Sequence, residues 1–267
     1  MTKPGMSRRS LLTKSGALAG AAFLASLPGS FALASPAYAD SPQAPGPAGA
    51  SGSTTPTGEE IRTAFRRFER GEQRVRTRTA SPNGWEMEKV IDGGGSIATR
   101  PVPGTPLTGV AVRTGDVETV LVHVIRRFHY EVGEVRTGEV TGWEGPGTVR
   151  KGRTEGNLAS GTAVRIRPAF YPPGSRGGFF APELTVIRDV LAELDGVVRW
   201  GGDDRHVDES LFSIDVKPGD PLLAEVAGRI RGWNLTPGQG AGTPVDVQAA
   251  ERRRAARNLE RRQVAAA

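Results

Sequence analysis

The chain has 267 residues, of which 37% are hydrophobic, enough for one good-sized domain or two small ones with a packed core. It has no cysteine, which excludes disulfides, thiol catalysis and cysteine-ligated metals. The formal net charge of +6 comes from basic residues in 1–39 and 251–262, so the slightly acidic chain between them is not expected to bind nucleic acid.

Residues 1–39 have the pattern of an export signal. Residues 7–12 read S-R-R-S-L-L, an apolar segment covers 16–34, and 37–39 (A-Y-A) place small residues at the spacing of a cleavage site. We therefore predict a twin-arginine signal peptide over 1–39 and a secreted, cell-envelope protein. Pro28 and several glycines make the apolar segment a poor transmembrane helix, so no stable membrane span is expected after cleavage.

Residues 40–57 are rich in Pro, Gly, Ser and Ala, and this composition predicts a disordered linker. A helix is predicted from Gly58, because Ile61, Phe65 and Phe68 recur at helical spacing. We expect this helix to pack on the domain through those residues and to leave its arginines in solvent. It would form an N-terminal extension of a domain that covers residues 58–235.

The domain itself mixes short strands and helices. Two strands are predicted at 85–90 and 96–100, around the turn Gly93-Gly94-Gly95, and further strands at 109–113, 162–167, 197–200 and 212–216. Helices are predicted from Asp116, at 181–194 and at 221–231. Residues 236–267 read as a linker followed by a basic helical tail, whose arginines are expected to be solvated.

Two segments carry a family resemblance. Residues 157–168 read N-L-A-S-G-T-A-V-R-I-R-P, and residues 198–216 read V-R-W-G-G-D-D-R-H-V-D-E-S-L-F-S-I-D-V. Together they resemble the signature segments of the LAS-type zinc peptidases, which include D-alanyl-D-alanine carboxypeptidases and L-alanyl-D-glutamate peptidases. The resemblance covers roughly residues 118–233. It implies an α+β fold, with a small antiparallel sheet flanked by helices as in DD-peptidases.

The same resemblance implies a zinc site, yet the three positions that would ligate zinc are Leu158, Arg165 and Leu211. Leucine offers no lone pair and arginine repels a divalent cation, so we expect neither zinc nor another cofactor there. Asp208 occupies the position of the family's catalytic base, but it has no metal-activated water to deprotonate. We expect Arg165 to pair with Asp208 and fill the place of the metal. The chain is therefore expected to be a degenerate member, not an active enzyme.

The family acts on peptidoglycan stem peptides, so a degenerate cleft is expected to bind such a peptide or another envelope protein. Candidate ligand-binding residues are Arg165, Arg167, Arg176, Tyr171, Trp200 and Asp203. Arginines would bind terminal carboxylates by paired hydrogen bonds. Two alternatives remain open: an active cell-wall metallopeptidase with displaced ligands, using His206 and nearby carboxylates, or a structural envelope protein with a vestigial cleft.

Overall fold

The computed structural model describes residues 57–150 and 152–266, so the predicted signal peptide and nearly all of the predicted linker lie outside the described residues. The fold is α+β, with small antiparallel sheets flanked by helices, as predicted. The helices are α1 Gly58–Val75, α2 Asp116–Glu131, α3 Ala181–Glu193, α4 Pro221–Leu235 and α5 Ala250–Ala265. The strands are β1 Arg76–Ala80, β2 Glu86–Glu88, β3 Ile97–Arg100, β4 Val110–Arg113, β5 Val140–Thr141, β6 Ala163–Ile166, β7 Val198–Trp200 and β8 Leu211–Ile214. Two 3₁₀ helices cover Thr154–Ser160 and Gly201–Asp203.

The main sheet has four antiparallel strands in the order β5-β6-β8-β7. Helix α2 packs against it, and all six residues on its predicted apolar face are buried: Val117, Val120, Leu121, Val124, Ile125 and Phe128. The spacing of these residues turns one continuous stripe of the helix towards the sheet. This layer is the core that holds β6 and β8 in place.

The predicted strands at 85–90 and 96–100 form, but they do not pair with each other across the glycine turn. β2 pairs with β1 and β3 pairs with β4, in two separate two-stranded sheets. The segment between them folds over the carboxylate of Glu88, which accepts the backbone N–H groups of Ser96 (2.9 Å) and Ile97 (3.3 Å). A Cβ on Gly95 would lie 2.2 Å from that carboxylate, so the glycine allows the close approach.

The two terminal helices both differ from expectation. α1 forms as predicted, but its apolar residues do not pack on the domain: Ile61, Phe65 and Phe68 are exposed. Conversely, α5 is not a solvated tail. It packs against α3 and buries Ala256, Leu259 and Gln263.

None of the helices among the described residues combines the length and the apolar composition needed to cross a lipid bilayer.

Candidate functional site

The two signature segments meet at the centre of the main sheet. The first 3₁₀ helix carries Leu158, and the chain then turns at Gly161 into β6, which pairs Arg165 with Leu211 of β8. Gly161 has a left-handed backbone (φ 66°), and a Cβ there would lie 2.8 Å from the backbone nitrogen of Arg113. Only glycine allows both the left-handed backbone and this close approach without strain. The A-S-G-T turn can therefore place Leu158 next to Ala163 and Leu211.

Two of the three positions expected to ligate a metal lie in an apolar cluster. Leu158 and Leu211 are buried together with Ala163, and Val149 packs against them. The side chains are held by van der Waals contact, and neither presents a polar atom to the site.

The third position, Arg165, is surrounded by carboxylates, and we call this group the site cluster (Arg165, Asp208, Glu144 and Glu155). The guanidinium nitrogens donate to Asp208 Oδ2 at 2.9 Å, to Glu144 Oε1 at 2.7 Å and to Glu155 Oε2 at 3.3 Å. The predicted pair between Arg165 and Asp208 is therefore present. Burial lowers the pKa of Arg165, but hydrogen bonds and charge from Asp208 and Glu144 raise it above the ordinary value.

The residues at this centre do not fit a zinc ion. Arg165 places a fixed positive charge among the carboxylates, and the two leucines have no donor atom. Both oxygens of Asp208 are also engaged, because Oδ1 accepts the Ser210 hydroxyl at 2.6 Å and Oδ2 accepts Arg165. Asp208 is thus held as a structural acceptor.

A cleft of about 250 Å³ opens beside the site cluster, and we call it the basic cleft. Asp208 and Leu211 form part of its wall. The basic residues on its lining are Arg150, Arg153, Arg205 and His206. Its two carboxylates, Glu155 and Asp208, both bind Arg165. Within the described residues, Arg153 and Arg205 have no carboxylate within ion-pair distance, so the cleft favours an anionic group.

Three of the predicted ligand-binding residues lie together in a different place. Arg176, Trp200 and Asp203 line a cavity of about 520 Å³ between α3 and α5. Arg188 binds both carboxylate oxygens of Asp203, and Arg176 donates to the carbonyls of Gly202 and Asp204, each at 3.3 Å. The sequence did not predict this cavity, because α5 forms one of its walls.

The remaining two candidates lie away from both openings. Arg167 lies over the ring of Phe170 and faces Glu139, with 3.4 Å between Arg167 Nε and Glu139 Oε2. Tyr171 is buried and stacks on Phe179 at a ring distance of 3.8 Å. Neither residue lines the basic cleft, and Tyr171 contributes to the core.

A second group of charged residues, not predicted from the sequence, joins three helices, and we call it the helix cluster (Arg127, Arg252, His123, Asp189, Glu193 and Glu131). Arg127 and Arg252 both bind Asp189 and Glu193, and His123 lies 3.0 Å from Glu193. Burial raises the pKa of Glu193, but these hydrogen bonds and charges lower it well below the usual carboxyl range. The sequence did contain a signal for this cluster, namely charged residues four apart on one helix face. Such pairs are Arg127 with Glu131 and Asp189 with Glu193.

No protein-family model, curated protein or solved structure matches this chain.

Proposed function

We propose that the chain is an exported cell-envelope protein with a catalytically inactive DD-carboxypeptidase-like domain, which binds a peptidoglycan stem peptide in the basic cleft. One observation carries the proposal: the cleft lies beside Arg165 and Leu211, its acidic residues already bind Arg165, and two of its arginines, Arg153 and Arg205, have no carboxylate at ion-pair distance within the described part of the chain. A terminal carboxylate suits such a lining, because arginine binds carboxylates through two parallel hydrogen bonds.

The lack of catalysis is supported by the chemistry of the site cluster. Hydrolysis by a zinc peptidase needs a metal-bound water and a carboxylate free to take its proton. Here Asp208 accepts both Arg165 and Ser210, and the ligand positions hold leucine and arginine. Binding without cleavage is the function left to such a cleft.

The test uses the chain from residue 40 onward, purified peptidoglycan sacculi and a soluble stem pentapeptide that ends in D-alanyl-D-alanine. We expect retention on sacculi, calorimetric binding of the pentapeptide and no release of D-alanine. Arg153→Ser with Arg205→Ser should weaken binding about tenfold or more, since two charged hydrogen-bond donors are lost. Arg136→Ser is the matched control, because this exposed arginine lies outside the cleft lining.

Each other outcome favours a different function. Release of D-alanine, together with about one zinc per chain after equilibration with zinc, would favour the active metallopeptidase with displaced ligands. Neither retention nor release would favour a structural envelope protein. Binding that the cleft variant leaves unchanged would contradict the assignment of the cleft.

A further inference from the structure

The cavity between α3 and α5 has the size and the lining of a site for a small organic molecule. Its volume of about 520 Å³ falls within the usual range of ligand sites, which combine apolar walls with a few polar groups. Leu184 of α3, Ala256 of α5 and Val247 from the segment before α5 contribute aliphatic surface, and the buried Trp200 forms part of the wall. None of the residues that line this cavity lines the basic cleft, so the two are separate sites.

The carboxylates that line this cavity already have partners. Asp203 accepts two hydrogen bonds from Arg188, which also lies 3.1 Å from Glu260. Glu209 accepts two backbone N–H groups of the loop that precedes α3, each at 2.8 Å. Asp189 is bound by both arginines of the helix cluster. A cation that entered the cavity would therefore have to compete with these partners.

Three arginines of the lining, by contrast, have no carboxylate at ion-pair distance within the part of the chain that the structure describes. Arg253 and Arg257 are both exposed and lie four residues apart on one face of α5. Arg176 belongs to the loop before α3, and its guanidinium donates only to backbone carbonyls. The lining holds four arginines and four carboxylates, so its formal charges balance. Free hydrogen-bond donors, not net charge, therefore decide which ligand the cavity favours.

We propose that this cavity is a second ligand site, which takes a small organic anion with an apolar body and one anionic head group. The head group binds Arg253 and Arg257, because guanidinium groups donate paired hydrogen bonds to carboxylate, sulfonate or phosphate oxygens. The body packs against Leu184, Ala256 and Trp200. An inorganic anion would leave this apolar wall unused, and a cation would meet three guanidinium groups beside carboxylates that are already bound. This inference is independent of the basic cleft and of the peptide proposed for it.

The test is fluorescence titration with 8-anilinonaphthalene-1-sulfonate, an apolar ring system with one anionic head group. Its neutral counterpart is N-phenyl-1-naphthylamine, which has the same rings and no sulfonate. The chain from residue 40 onward is used, because the apolar segment 16–34 would itself bind either dye. Arg253→Gln with Arg257→Gln should weaken binding of the sulfonate about tenfold, since two charged hydrogen-bond donors are lost. The same variant should bind the neutral dye as the unmodified chain does.

The matched control is Arg254→Gln with Arg262→Gln, which removes two exposed arginines of the same helix that lie outside the cavity lining. It should leave binding of the sulfonate unchanged, as should Arg153→Ser with Arg205→Ser in the basic cleft. Octanoate should displace the sulfonate, whereas inorganic phosphate at the same ionic strength should not, because it has no apolar body.

Three results would overturn the proposal. An equal loss of sulfonate binding in the two variants of α5 would mean that the helix attracts the dye only through its overall charge. A loss in the variant of the basic cleft would place the dye in that cleft. Displacement by inorganic phosphate as readily as by octanoate would mean that the apolar wall takes no part in binding. Urea unfolding of the two variants of α5 should agree, so that a change in folding does not account for a difference between them.

Discussion

The site cluster and the helix cluster both bind arginines to several carboxylates, but they distribute positive charge differently. In the site cluster a single guanidinium contacts Asp208, Glu144 and Glu155, one nitrogen to each. In the helix cluster two guanidinia share Asp189 and Glu193. The first arrangement depends on one residue, whereas the second has an alternative cation for each of its most buried carboxylates.

The two clusters also hold different parts of the fold together. Arg165 projects from the central strand β6 and binds carboxylates around the sheet. The helix cluster joins α2, α3 and α5, and it explains why the arginine-rich C-terminal helix is docked. An arginine therefore gathers carboxylates around the sheet in one region, and two arginines clamp helices together in the other.

The largest effect should come from removing both arginines of the helix cluster. Arg127→Met and Arg252→Met should each lower the free energy of unfolding by about 2 kcal/mol, because the other arginine still neutralises Asp189 and Glu193. The double variant should lose roughly 1 kcal/mol or more beyond the sum. Glu193 then keeps only its contact with His123, and Asp189 has no cation left at ion-pair distance within the described residues. Urea unfolding of the four proteins checks this. Additive losses would mean that the two arginines do not share their partners.

The next largest effect should come from Arg165→Met, at roughly 3–5 kcal/mol. Within the described residues, Asp208 and Glu144 have no other cation at ion-pair distance, so the substitution leaves buried negative charge without compensation. Urea unfolding of Arg165→Met and of Arg150→Met gives the comparison. Arg150 contacts the same Glu155 at 3.1 Å but is 62% exposed, so its loss should change stability little. Equal effects of the two substitutions would contradict a special role for Arg165.

These clusters show where sequence reasoning succeeds and where it stops. The Arg165–Asp208 pair was predictable because the two signature segments place both residues at one site. Glu144 and Glu155 were not, because each lies outside the strands of the sheet, at a position set by packing. The face of α2 was predictable since its apolar spacing is local, but the docking of α5 depends on Asp189 and Glu193, about 60 residues earlier in the chain.

The same limit explains the opposite errors at the two ends of the domain. The apolar stripe of α1 was taken as a sign of packing, yet amphipathicity alone does not specify what a helix packs against. The arginines of α5 were taken as a sign of solvation, yet Arg252 reaches a buried carboxylate pair. Periodicity predicted both helices; partners distant in the sequence decided their environments.

Acidification should weaken the helix cluster by a smaller amount. The pKa of Glu193 in the folded chain lies below its ordinary value of 4.5, so its contribution is fully present above that pH and is lost as the pH falls towards the folded pKa. The unmodified chain should therefore be more stable than Glu193→Gln at about pH 7, and the gap should shrink at about pH 3. Thermal unfolding across this range measures the gap, and a constant difference would contradict the assignment.

The smallest effect should come from Glu260→Gln, on the side of α5 that faces the cavity next to α3. Glu260 is 40% exposed and lies 3.1 Å from Arg188, which also binds Asp203 and lies over the ring of Trp200. Because Arg188 keeps these contacts, the substitution should cost less than about 0.5 kcal/mol in urea unfolding. If Glu260→Gln were as damaging as Arg252→Met, α5 would be held by its exposed ion pair. If Glu260→Gln costs little and Arg252→Met costs much, α5 is attached mainly through the helix cluster, where Arg252 binds Asp189 and Glu193.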